Sequence, residues 1–355
     1  MPRLWRGVHT THNRQAKYGS YSIMDTASST VLDVQLIQSS EVANSNAMEL
    51  AGLQQCFRTL EQAQIGVSDV VTDRHTQVRA FLRTYRSLTH PIRHWFDVWH
   101  MAKSVYKKLM ELGKKKGMEE AAMWGRSIAS HLYWVASSTP PGEFRAEQAR
   151  AKWVSVCNHI TGVHTHDSEH FPQCLHGPLE DRIWMIAGSK VHKELEAIVK
   201  SKTLVKDIAQ ISPFDQTAEV EAYHSLVCQF APKFTHFSYS TMKIRLQLAV
   251  IHHNANSGRQ QAVNAAGDGR WAVQFPKNQG RLPVARKLKT RQTYGYVHDL
   301  MQEVIDLRME FDSYSRARAS WDAVAPRSSK PLIAEEGRPS KENVVASHQH
   351  RYSQH

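Results

Sequence analysis

Seven cysteine and histidine residues fall within twenty positions, in the run Cys157-Asn-His159-Ile-Thr-Gly-Val-His164-Thr-His166-Asp-Ser-Glu-His170-Phe-Pro-Gln-Cys174-Leu-His176. Thiolate and imidazole are the ligands zinc prefers, and four of them close a structural site. The preferred set is His159, His164, Cys174 and His176, with Cys157 and His170 as substitutes, although the spacing matches no standard finger. The competing reading is a surface loop in a histidine-rich chain, with Cys157 acting as a small buried hydrophobe. Acids form a second group. Asp73 stands where Val70-Val71-Thr72 ends and a helix begins, and Asp97 ends the next strand. Residues at strand carboxyl ends line the crevice of an open α/β sheet, but aspartate at either place also serves as a helix N-cap. Cations form a third group. Arg79, Arg83 and Arg86 make one strip; Lys103, Lys107, Lys108 and Lys114-Lys115-Lys116 make another; Arg281, Arg286, Lys287, Lys289 and Arg291 make the last. Such groups give phosphates salt-dependent, largely sequence-independent affinity. For Lys103–Lys108 a solvated helix face explains the charge as well. The last strip lies in a weakly periodic segment with few acids, where it could bind phosphates or act as a nuclear-import patch.

Composition bounds the setting. The 355 residues are 41% hydrophobic and 22% charged, as expected of a globular chain. The formal charge of +12 favours polyanionic partners, nucleic acid first. No apolar run approaches the roughly 20 residues that span a bilayer, and Met1–Arg6 lacks the apolar stretch of a signal peptide. Four cysteines without a CxxC pair point to thiols in a reducing compartment rather than a disulfide scaffold.

Periodicity supplies the elements that position these groups. Tyr18–Met24 and Val31–Ile37 read as a strand hairpin, with Leu32, Val34 and Leu36 on one face and Asp33 and Gln35 on the other. A helix follows over 44–63, a strand over 67–72, a helix over 74–86, a strand at 95–98 and a long amphipathic helix carrying Val98, Ala102, Val105, Leu109 and Leu112. That order is α/β. Residues 118–210 turn helical and hold Trp124, Trp134, Trp153 and Trp184, which suits an inserted helical subdomain with a tryptophan core. Helices are expected over 217–230 and 239–254. From 257 the periodicity fades, and residues 258–293 hold eight Lys/Arg against the single acid Asp268. A short helix over 294–311 and a disordered tail over 312–355 complete the expectation. The domain boundaries follow: 1–117, 118–210, 211–256, 257–311 and 312–355.

Five runs occur in this order: Ala16-Lys-Tyr-Gly-Ser-Tyr-Ser-Ile-Met-Asp25, Val71-Thr-Asp-Arg-His75, Phe96-Asp-Val-Trp-His-Met-Ala-Lys-Ser104, Glu221-Ala-Tyr-His-Ser225 and Phe237-Ser-Tyr-Ser-Thr-Met-Lys-Ile-Arg-Leu-Gln-Leu248. Together they resemble an animal family of transposase-derived proteins and, more distantly, bacterial DDE-type transposases, over roughly residues 9–300. The resemblance implies a ribonuclease-H-like mixed sheet with flanking helices, interrupted by an all-helical insertion. It also implies carboxylates that hold two divalent cations, Mg²⁺ if the site is active, for phosphodiester chemistry. On it, Asp73 matches the second acid and Glu221 the third, with Asp97 a further candidate. Glu219 is the runner-up and projects about 200° away around the helix. The first acid has no counterpart, because Trp5–Asn13 holds neither Asp nor Glu and carries Arg6. The expectation is therefore a relative truncated at its N-terminus: a transposon-derived, nuclear DNA-binding protein, catalytically impaired. Its DNA contacts would be Arg79, Arg83, Lys103, Arg286, Lys287, Lys289 and Arg291, and a homo-oligomer stays open. The alternatives are an active Mg²⁺-dependent strand transferase or endonuclease, and a zinc-stabilised protein-interaction module.

Overall fold

The computed structural model describes residues 3–10, 17–88, 90–179, 183–213, 218–276, 283–324, 340–343 and 345–346. The fold is mixed α/β. The chain begins with β1 (Arg3–Thr10), β2 (Tyr18–Asp25) and β3 (Val31–Gln38). Helix α1 (Ser45–Gln62) leads to β4 (Asp69–Thr72) and α2 (Thr76–Thr84), then to the short pair β5 (Arg86–Ser87) and β6 (His90–Pro91), and to β7 (Arg93–Phe96). A helical stretch follows: α3 (Val98–Gly113), α4 (Glu119–Ser138), α5 (Arg145–Val154), α6 (Val156–His159), α7 (Lys190–Val199) and α8 (Lys202–Ile208). Helices α9 (Ala218–Phe230) and α10 (Tyr239–Asn256), the ribbon β8 (Trp271–Gln274) and β9 (Val284–Lys287), and helices α11 (Gly295–Glu310) and α12 (Tyr314–Val324) complete it.

The main sheet has the order β3-β2-β1-β4-β7. β4 is parallel to β1, with Arg3 opposite Asp69 and Trp5 opposite Val71. β4 is also parallel to β7, from Asp69 opposite Arg93 to Thr72 opposite Phe96. All four residues of β4 are buried, so it is covered on both faces, as parallel strands usually are. The pair is locked by Asp69, whose carboxylate accepts from Arg93 Nε and Nη2 at 2.9 Å each, from Trp95 Nε1 at 2.8 Å and from Ser68 Oγ at 2.7 Å. Burial alone would raise this carboxyl; the hydrogen bonds outweigh it and hold Asp69 below the ordinary carboxylate range.

The chain divides into two compact units, one of Met1–Gly7, Ile23–Ala27 and Phe57–His224, the other of Val8–Ser22, Ser28–Cys56 and Ser225–His355. One continuous apolar core runs from Phe96 through Met101, Val105 and Leu109 of α3 to Ile128 and Leu132 of α4, Trp153, Leu195 and Ile211. Among its described residues the helical stretch contributes no strand to the sheet, and it shares its core with α3. Trp124 and Trp153 lie in that core, and Trp134 and Trp184 pack against it. Gly113, where α3 ends, permits a close approach of α3 to α4: a Cβ there would stand 2.5 Å from Ala122 Cβ.

Three elements depart from the sequence reading. β1 is an eight-residue strand in a stretch where periodicity placed no element. β8 and β9 form an antiparallel ribbon in the segment expected to be irregular, with Trp271 opposite Lys287 and Gln274 opposite Val284. Both strands are largely exposed, so no buried face imprinted the alternation by which strands are recognised. Helix α12 occupies part of the expected disordered tail; most of the rest of that tail lies outside the described residues. Among the described residues, no helix is long and apolar enough to cross a membrane. None of the four cysteines is in a disulfide.

Candidate metal centre and acidic strand ends

His159 is the last residue of the four-residue helix α6. The chain then turns through Gly162, whose φ of 79° is the left-handed conformation that glycine adopts without strain. Two backbone bonds fold the next segment back on itself, His166 N to Pro172 O at 2.8 Å and Cys174 N to His164 O at 2.9 Å. This places His164 beside Cys174, with His176 two residues on. One donor atom from each of His159, His164, Cys174 and His176 lies within 4.8 Å of every other. The preferred set from the sequence is thus brought together, and this His₃Cys group could hold a metal ion.

The donor geometry can be tested against zinc. Bonds of about 2.3 Å to sulfur and about 2.05 Å to nitrogen at a tetrahedral angle give an S···N edge of about 3.6 Å. Cys174 Sγ lies 3.6 Å from His159 Nδ1. His176 Nδ1 faces Gly177 O at 2.8 Å, which makes Nδ1 the protonated nitrogen and leaves Nε2 as the lone-pair donor. His164 Nδ1 is buried with no hydrogen-bond partner, the condition of a ligand awaiting a cation. Burial pushes the Cys174 thiol up, so a thiolate there needs a nearby positive charge, which a divalent ion supplies. His166 Nε2 stands 3.3 Å from the same sulfur, placed to donate to it as an outer-shell partner. The indole of Trp184 packs edge-on against His159 and His164. A cleft of about 340 Å³ bordered by His131, Trp134, Phe171 and Cys174 adjoins the group.

The two substitutes stand apart from this set. Cys157 is fully buried, its thiol pushed up to about 12 by burial. His170 stacks on Phe144 with ring centroids 5.8 Å apart.

At the acidic strand ends, Asp73 and Asp97 each follow the last residue of neighbouring parallel strands, and Thr72 opposite Phe96 sets them side by side. Asp97 N donates to Thr72 O at 2.8 Å. The two acids differ in use. Asp97 is buried and caps α3: its Oδ2 accepts from His100 N at 3.0 Å and from His100 Nδ1 at 2.6 Å. Asp73 is half-buried and does not cap α2; His75 does, its Nδ1 accepting from Val78 N. Glu221 lies exposed on the first turn of α9, as does Glu219. Tyr133 of α4 senses both Asp97 and Glu221: burial first, then these two negative charges, push its phenol up. The sequence reading had no signal for Tyr133, which became legible only once α4 packed on α3.

Of the cations, Arg79 donates through Nη1 to the buried Asp207 at 3.1 Å, alongside Arg74 Nη1 at 3.1 Å, so two guanidinium groups share one carboxylate. Asp207 sits in α8, 128 residues away in sequence, which is why spacing could not reveal the pair. Arg83 is exposed, and Lys103 is exposed with its ammonium 4.4 Å above the Trp99 ring. Arg286, Lys287, Lys289 and Arg291 are all exposed on or just after β9. Arg281 lies outside the described residues. Comparison of the chain with protein-family models, curated proteins and solved structures finds no match.

Proposed function

We propose that this chain is a transposon-derived, nuclear DNA-binding protein built on a ribonuclease-H-like core whose two-metal chemistry has been lost. The observation that carries the reading is the sheet order β3-β2-β1-β4-β7, with Asp73 and Asp97 side by side at the carboxyl ends of parallel β4 and β7. A helical stretch separates those strands from α9, which carries Glu221. This arrangement supports the resemblance in the five sequence runs.

The acids present do not fit a pair of Mg²⁺ ions. Such a pair needs carboxylates that bridge and flank both metals. Asp97 Oδ2 already takes two hydrogen bonds from His100. The sequence of β1 contains Arg3 and Arg6 and no acid. We therefore assign no strand-transfer step to this site. Binding to DNA rests on Arg83, Lys103 and the ribbon cations Arg286, Lys287, Lys289 and Arg291, and would be mainly electrostatic. We assign zinc to the His₃Cys group in a structural role, closing the loop between α6 and α7.

Two measurements test this reading. Supercoiled plasmid incubated with the protein and Mg²⁺ or Mn²⁺ stays intact, while Arg6→Asp, which returns an acid to β1, is the substitution with the best prospect of restoring nicking. DNA affinity falls steeply with salt. Replacing the four ribbon cations by alanine flattens the slope of log K against log salt by up to about 0.9 for each phosphate that is no longer neutralised. Metal-dependent nicking by the unaltered chain, abolished by Asp73→Ala, would falsify the loss of catalysis. An unchanged salt slope would remove the ribbon from the interface.

A further inference from the structure

Helix α11 buries none of its residues. Val297, Leu300, Val304 and Leu307 are 40%, 37%, 66% and 48% exposed. Their three-and-four spacing is that of heptad positions a, d, a and d, and they share an arc of about 80° on the helix. Phe311, which ends the helix, takes the next a position. Monomeric proteins rarely leave such a stripe uncovered. The start of the helix is anchored within its own unit, where Tyr296 Oη meets His252 Nδ1 of α10 at 2.9 Å.

Residue type and charge identify what covers the stripe. Among parallel coils, valine at a with leucine at d favours two strands over three or four. Glu303 occupies the g position before the second a, and Arg308 the e position five residues later. In a parallel, in-register pair each Glu303 meets Arg308 of the other copy, and two-fold symmetry makes that contact twice. An antiparallel pair would set g against g, bringing acid to acid. We propose that α11 is a self-association helix whose partner is α11 of a second copy of this chain, in a parallel two-stranded coil. The seam is only about two heptads long, so the dimer is weak and depends on concentration.

Sedimentation velocity on the full chain across a concentration series tests this. The parent chain passes from monomer to dimer, and Val304→Glu keeps it monomeric. Glu303→Arg alone and Arg308→Glu alone each weaken the dimer by about tenfold, since two attractive pairs become repulsive. The double variant Glu303→Arg/Arg308→Glu recovers to within about threefold of the parent, because the pairs are restored with signs exchanged. As α11 is exposed along its length, far-ultraviolet circular dichroism should match the parent for every variant. A parent that stays monomeric overturns the proposal, and so does a dimer indifferent to Val304→Glu. A double variant weaker than either single one overturns the parallel register.

Discussion

His164 and Cys174 are ten residues apart in sequence, yet two backbone hydrogen bonds bring them into one donor set. The ligand types were readable because cysteine and histidine are concentrated there. The choice of four among seven followed from the same run. The sequence had no signal for His166 as a partner of the Cys174 sulfur, since that role depends on ring placement. If zinc is bound, elemental analysis of the purified chain gives about one equivalent. His164→Ala and Cys174→Ala each lower it below about a tenth, and a strong chelator lowers the melting temperature of the parent by several degrees but leaves both variants unmoved. A second residue-scale expectation concerns His131. Burial pulls its imidazole from 6.5 down to about 4, and the ring donates to Lys152 O at 2.7 Å in its neutral form. A histidine held neutral by the fold contributes stability that is complete above pH 6.5 and is lost as pH falls from there toward 4. Its limit is about 3 kcal/mol over that window. His131→Gln keeps a donor and cannot titrate, so the difference in unfolding free energy between variant and parent should change only across that interval. A difference that is flat with pH would show that His131 is not the group responsible.

Among the elements, the amphipathic helices α1, α3, α9 and α10 were legible because burial on one side imposes periodicity, and β4 because its Val70-Val71-Thr72 run is a short β-branched stretch ending at a turn. The opening strand and the ribbon were not. β1 is rich in arginine and histidine, and the ribbon is exposed on both sides, so neither has the alternation that marks a half-buried strand. The contact between α3 and α4 gives a test in which local propensity and packing disagree. By propensity glycine is a poorer helix residue than alanine, although Gly113 is the last residue of α3 and feels only part of that difference. At Gly113 an added Cβ would meet Ala122 Cβ at 2.5 Å and Ala122 N at 2.9 Å. Gly113→Ala should therefore destabilise the chain by about 1–3 kcal/mol in urea unfolding, and Ala122→Gly in the same chain should recover part of the loss. A stabilised Gly113→Ala would mean that the two helices separate readily.

For the whole molecule, alternating elements were enough to anticipate a mixed α/β fold, and the helical composition after residue 118 was enough to keep that stretch out of the sheet. The partition into units was not legible. Sequence shows where composition changes, whereas a unit is set by which side chains share a core, and Phe96, Leu109, Ile128 and Ile211 share one over a separation of 115 positions. The ion pairs Arg74–Asp207 and Arg79–Asp207 escaped for the same reason. Two guanidinium groups on one carboxylate leave a positive charge at that place, and the net +12, which already counts Asp207, is unchanged by the pairing.

The exposed ribbon carries a consequence for colloidal behaviour. Among the described residues the ribbon has no further strand at either edge, edge backbone groups can pair with another chain, and β8 together with Phe275 displays Trp271, Val273 and Phe275 at 55%, 61% and 62% exposure. Arg286 and Lys287 lie within β9, and Lys289 follows it closely. Their mutual repulsion keeps one ribbon from docking edge to edge on the next, the gatekeeper use of charge. Removing these cations should therefore do more than weaken DNA binding. The quadruple alanine variant, with Arg291 included, should scatter more light on concentration and on warming than the parent, and added Trp271→Lys should reverse the gain. Equal scattering from parent and quadruple variant would show that the edges are kept apart by something other than charge.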